Sequence, residues 1–285
     1  KWGPVFGWPT DSSPCNAEEI WNGVTCVGIR ITEFNLTCGS LLLDQPIPPM
    51  LGNLTAQTTF QIRLCGLKET VPDRFSLLTN LQNLRLNGNQ LEGVVSDFIR
   101  NQPLTETINL RYNKFDVVNT PAGNLDQIDP LWRATQTVPP TNVQVQETGA
   151  GTATLTWTPI AYQDHGGYYE VLSSQTPGGP YASIGTTENS GGKTASSLQV
   201  SGLPAKPNFF VVRTFTPAHV STPSDPLNDN PSNLTSVNSA EVRLDTFTVN
   251  STLDNGTGGC TALGTGDGCT LREAVEAANN QAGDD

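Results

Sequence analysis

One pattern recurs between residues 60 and 115, and it decides most of what this chain can fold into. Leu84, Leu86, Asn89 and Leu91 return as Ile108, Leu110, Asn113 and Phe115, each 24 residues on, and are preceded at the same distance by Phe60, Ile62, Cys65 and Leu67. A fixed period of this length is not that of an amphipathic helix. It marks a stacked solenoid, in which each unit gives one short strand to a shared sheet and cannot bury its apolar face alone. The Asn stands where the chain turns out of the strand and leaves buried main-chain groups in need of partners. Its amide both donates and accepts, so stacked copies can form a ladder. Cys65 holds that slot one repeat earlier, where a thiol bonds less well, and a link to another sulfur is expected instead.

Leu81, Leu84, Leu86, Asn89 and Leu91 match L-x-x-L-x-L-x-x-N/C-x-L, so the stretch resembles the leucine-rich repeat. PCNAEEIWNGVTC (Pro14–Cys26) resembles the N-terminal cap of plant-type leucine-rich repeat proteins. IPPMLGNLT (Ile47–Thr55) is similar to the signature of the plant-specific repeat class, and Val71-Pro72 and Val95-Ser96 echo it. The resemblance covers residues 15–116 and implies a curved solenoid of about four coils. Residues 1–30, with Trp8, Trp21 and Val24, would cap one end. Leu125, Ile128, Leu131 and Trp132 would close the other, giving a first domain over residues 1–132.

From Val143 the apolar period changes to two, in short runs around Val145, Leu155, Trp157, Val171, Val200 and Val212 separated by Gly, Pro, Asn and Ser. About seven strands in a hundred residues predict a β-sandwich. The Pro-Pro-x-Asn-Val start, the Trp157 strand, GYYEVLSS (Gly167–Ser174), Ser201-Gly202-Leu203 and FFVVRT (Phe209–Thr214) resemble a fibronectin type III domain, here over residues 133–244. In residues 245–285, FTVNST, Cys260 and CTLREAVEAANN resemble the strand, loop and helix that open a CSLREA domain, which implies β-helix coils after Asp285. The expected fold is therefore multidomain and mainly β.

Six cysteines without C-x-x-C spacing, and only two histidines (His165 and His219), argue for disulfides over zinc. Short-range pairing gives Cys15–Cys26, Cys38–Cys65 and Cys260–Cys269, and with them an oxidising, secreted or cell-surface setting. Residues 1–118 carry 9 Lys/Arg against 11 Asp/Glu and the remainder 6 against 16, which excludes nucleic acid as a partner for want of a basic footprint. No apolar run is long enough to span a membrane as a helix. Sequons at Asn35, Asn53, Asn233, Asn250 and Asn255 are about as many as composition alone would produce, and would be bare in a bacterium.

In a stacked sheet of this kind the residues between the apolar positions point outward in columns: Gln61, Arg85, Asn109; Arg63, Asn87, Arg111; Leu64, Gly88, Tyr112. Three arginines and a tyrosine on one face of an acidic chain make Gln61, Arg63, Leu64, Arg85, Asn87, Asn109, Arg111 and Tyr112 the candidate ligand-binding residues, for a protein or an acidic glycan. A solvated sheet face is the plainer alternative. Ser224–Asn233 collects hard oxygen ligands, with Asp225, Asn228 and Asp229 as a calcium candidate, though such stretches are more often solvated loops. Gly191-Gly192-Lys193-Thr194 fails as a phosphate loop, because Thr187 stands where the first glycine is needed. No nucleophile, base and orienting group come together, so no enzyme and no cofactor are expected. The function expected is an adhesive or binding module. The alternatives are a self-associating subunit of an extracellular fibre and an accessory region of a longer polysaccharide-acting protein. Plant-like repeats joined to a CSLREA-like ending favour a bacterial source.

Overall fold

The computed structural model describes residues 14–15, 21–39, 42–103, 105–220, 229–244 and 275. The chain forms two compact units, Lys1–Val138 with Thr216–Ser236, and Pro139–Phe215 with Val237–Asp285. Residues 216–236, read from the sequence as sandwich, thus belong to the repeat-bearing unit.

In the first unit β1 (Val24–Val27) and β2 (Arg30–Thr37) form an antiparallel pair. Then follow β3 (Thr59–Arg63), β4 (Lys68–Glu69), β5 (Asn83–Arg85), β6 (Gln90–Gly93), β7 (Thr107–Asn109) and β8 (Lys114–Phe115). Strands β2, β3, β5 and β7 lie parallel in that order, with Phe60 opposite Leu84 and Leu84 opposite Ile108. The 24-residue period is therefore the step from one strand to the next. Side chains alternate across a strand, so Phe60, Ile62, Leu84, Leu86, Ile108 and Leu110 point into one buried core. On its far side the chain returns through 3-10 turns at Pro49–Asn53 and Asp73–Leu77 and a helical turn at Asp97–Arg100.

The ladder forms as the pattern expects. Asn89 Oδ1 accepts from the main-chain N–H of Cys65 and of Leu67, both at 3.1 Å, and its Nδ2 donates to the carbonyls of Ile62 and Leu86, both at 2.8 Å. Asn113 repeats this, accepting from Leu91 N at 3.0 Å and donating to Leu86 and Leu110 O, both at 3.0 Å. Gln136 supplies a last rung that the motif does not reveal, accepting from Phe115 N at 3.1 Å and donating to Leu110 O at 3.1 Å. Cys65, lacking an amide, is bonded to Cys38, and Cys15 to Cys26.

The closing end is organised by buried Leu125 and Trp132. Trp132 Nε1 donates to Asp126 Oδ1 at 2.9 Å, and Arg133 pairs with the same oxygen at 2.7 Å. The Arg133 hydrogen bond leads in holding the Asp126 carboxyl at about 2, below its ordinary range.

One inward position breaks the pattern. Gln57 stands 24 residues before Leu81 and is as buried as the leucines, yet neither Nε2 nor Oε1 has a hydrogen-bond partner. A buried amide without partners costs on the order of 1–3 kcal/mol. Gln57→Leu is expected to raise the stability of this unit by about 1–2 kcal/mol, read as a higher urea midpoint at unchanged slope. An unchanged or lower midpoint would show the amide to be satisfied.

In the second unit β9 (Thr141–Gly149), β10 (Thr152–Thr158) and β13 (Ser197–Ser201) make one antiparallel sheet in the order β13-β10-β9. β12 (Ala182–Thr186), β11 (Tyr168–Ser174) and β14 (Asn208–Thr216) make another, with β16 (Val242–Leu244) also paired to β14; β15 (Leu234–Thr235) falls in the first unit's residues. The two sheets meet through Trp157 and Tyr169, edge to face at 5.2 Å. Trp157 Nε1 donates to Ala195 O and the Tyr169 hydroxyl accepts from Ile160 N, so both polar tips are satisfied inside the core. Burial pushes the Tyr169 phenol up to about 12.

Candidate functional site

The outward columns are set by register. Asn35 lies opposite Gln61, Gln61 opposite Arg85 and Arg85 opposite Asn109; Thr37 lies opposite Arg63. Arg63 and Arg85 therefore sit on neighbouring strands, offset by two residues, with both side chains on the same face. Gln61 is buried between its neighbours, whereas Arg63, Arg85 and Asn109 are half-buried.

The rest of the expected surface is differently placed. Leu64, Asn87 and Tyr112, expected to point into solvent, are buried at 7 %, 0 % and 7 % exposure. The Leu64, Gly88, Tyr112 column is covered by residues that lie 107 to 141 positions further along the chain than the groups they meet. Asn230 Nδ2 donates to the carbonyls of Asn89 and Tyr112, both at 2.9 Å, and His219 meets the Tyr112 ring edge-on at 5.5 Å. Leu64, Gly88 and Tyr112 share a left-handed backbone (φ 57°, 69° and 56°), and a Cβ on Gly88 would lie 2.4 Å from Asp229 O. The central glycine of this column is thus required by the covering chain. Arg111 is also engaged: its Nε and Nη2 hold Asp129 Oδ1 at 2.8 and 2.5 Å. Asp129 and Asn230 were not legible as members of this face, since neither belongs to the repeat.

What remains is an uncompensated cationic pair. Among the described residues Arg63 and Arg85 make no ion pair. Arg63 donates to Thr37 Oγ1 at 3.1 Å, while Arg63 Nε, Arg85 Nε, Asn83 Oδ1 and both amide atoms of Asn87 are buried without a partner. Burial, and next the charge of Arg85, push the Arg63 pKa down from its ordinary value. Two guanidiniums on one face of neighbouring strands can receive an anion and cannot by themselves perform acid–base or nucleophilic chemistry.

No family model matches the chain, and no curated protein matches it. Among solved structures, an Fn3-like protein from Clostridium thermocellum is similar at 24 % identity over 38 % of this chain and 92 % of its own, with a TM-score of 0.26. A plant ice-binding protein is similar at 26 % identity over 40 % of this chain and 38 % of its own, with a TM-score of 0.32. The BIR3–SERK2 complex from Arabidopsis thaliana is similar at 23 % identity over 40 % of this chain and 61 % of its own, with a TM-score of 0.31. The chain thus spans less than two thirds of the two plant structures it resembles.

The other predicted positions are placed as follows. Asp225 and Asn228 lie outside the described residues, and Asp229 is buried beside Gly88. Among the described residues no three His, Cys, Asp or Glu gather as a metal site would need. Asn35, Asn53 and Asn233 are exposed; Asn250, Asn255, Cys260 and Cys269 are outside the described residues, as is the CSLREA-like stretch apart from Val275. Lys193 of the Gly-Gly-Lys-Thr string turns inward at 2 % exposure, donating to Asp164 O at 2.7 Å and lying 3.9 Å over the Tyr162 ring. Burial brings its pKa down to about 8, against an upward pull from Asp164, and the contacts are those of a loop anchor. No helix among the described residues is long and apolar enough to cross a membrane.

Proposed function

We propose that this chain is a non-enzymatic extracellular binding module. Its first unit is a short leucine-rich repeat solenoid, its second a fibronectin type III sandwich, and its ligand is received on the outward face of β3 and β5. The observation that carries this reading is the Arg63–Arg85 pair. A chain with net charge −12 has carboxylates to spare, and it engages Arg111, Arg133 and Arg213 with them. Among the described residues Arg63 and Arg85, on one face of β3 and β5, have no carboxylate partner and keep their charge for something else. The Cys15–Cys26 and Cys38–Cys65 bonds support an oxidising, extracellular location.

Truncating an arginine that anchors an interface costs about 2 kcal/mol or more, roughly a thirtyfold loss of affinity. Labelled wild-type chain and its Arg63→Ala/Arg85→Ala variant, applied to combined glycan and peptide arrays, are expected to differ in this way on every anionic feature bound. Identical profiles, or turnover of any feature, would refute the reading.

A further inference from the structure

Resting on the binding-module reading, we infer that the ligand of the Arg63–Arg85 face is a linear polyuronate, an acidic polysaccharide lying across the strands of the repeat sheet. Charge complementarity comes first. Two fork-shaped guanidiniums suit carboxylates, which they can hold through paired N–H groups. The choice between carbohydrate and acidic protein follows from what surrounds them. Protein interfaces depend on apolar and aromatic anchors, and the two such residues of these columns, Leu64 and Tyr112, are covered by the chain's own Asp229–Asn230 segment. The neighbours that keep some exposure are amides and hydroxyls: half-buried Asn83, Asn109 and Thr59, and exposed Thr107. Such groups suit the hydroxyls of a sugar chain.

Geometry points the same way. Neighbouring strands lie ~4.8 Å apart, close to the length of one pyranose unit, so a stiff sugar chain crossing the sheet on an oblique line can meet one outward position on each strand in succession. Arg63 and Arg85, one strand and two residues apart, would then each hold the carboxylate of a nearby unit. With its charge the chain as a whole repels a polyanion, so binding would report this local pair and not general attraction.

Affinity electrophoresis tests this with the full chain in native gels containing polygalacturonate, its fully methyl-esterified form, or dextran. Retardation is expected in the first gel only and should weaken as salt is raised. Arg63→Gln/Arg85→Gln should lose at least tenfold in affinity with its unfolding midpoint unchanged. Arg63→Lys/Arg85→Lys, which keeps charge but not the fork, should lose less, and Arg30→Gln nothing. No retardation by polygalacturonate, or equal retardation of the Gln variant, overturns the inference. If a deca-glutamate peptide binds in an arginine-dependent way and the polymer does not, the ligand is an acidic protein and the module reading stands; if neither binds, both fall.

Discussion

Asn89→Ala is expected to cost the repeat unit roughly 3–5 kcal/mol. The side chain bonds four buried main-chain groups, two N–H and two C=O, across two coils, and of these Leu86 O keeps a second donor in Asn113 Nδ2. Each buried group left unpaired costs about 1–3 kcal/mol, and some relaxation of the turn keeps the sum below four full penalties. The loss is comparable with the whole stability of many domains, and no hydrophobic substitute avoids it, because the partners are main chain. Asn80→Ala removes a single exposed bond to Thr55 O and should stay within about 0.5 kcal/mol of wild type. Urea titrations of the two variants decide the matter. Similar midpoints for both would mean the ladder is ornamental and the fold rests on the leucines alone.

Breaking the Cys38–Cys65 bond is expected to cost about 3–4 kcal/mol. The bond closes a loop of sequence separation 27, between the ~3 kcal/mol of a 15-residue loop and the ~4.7 of a 100-residue one. It also holds the rung of the ladder that has no side-chain amide, with Cys65 fully buried. Cys38→Ser/Cys65→Ser should therefore lower the urea midpoint markedly under oxidising conditions, and added reductant should shift the variant less than it shifts wild type. A variant as stable as wild type would show that packing around Phe34, Phe60 and Phe75 holds these coils unaided.

The repeat could be read because each strand's neighbour lies one period away in sequence. Phe60, Leu84 and Ile108 meet as their spacing required, and the same regularity led to the Asn ladder and to a sulfur partner for Cys65. Trp157 in a β core was legible from its period-two surroundings. Gln136 was not, because the ladder ends on a glutamine outside the motif.

Alternation along a strand dictated which residues face inward and which form outward columns, since that follows from local geometry and an unvarying step. Which outward residues stay open was settled only by the folded chain. Arg111 is taken by Asp129, and the Leu64, Gly88, Tyr112 column is covered where Asn230 bonds to main-chain carbonyls of Asn89 and Tyr112. Such contacts join segments related by no repeat, through hydrogen bonds to backbone that any residue carries, so side-chain identity leaves no trace of them. Arg63 and Arg85 are left as the face's charge for the same reason: among the described residues no distant carboxylate is brought to them.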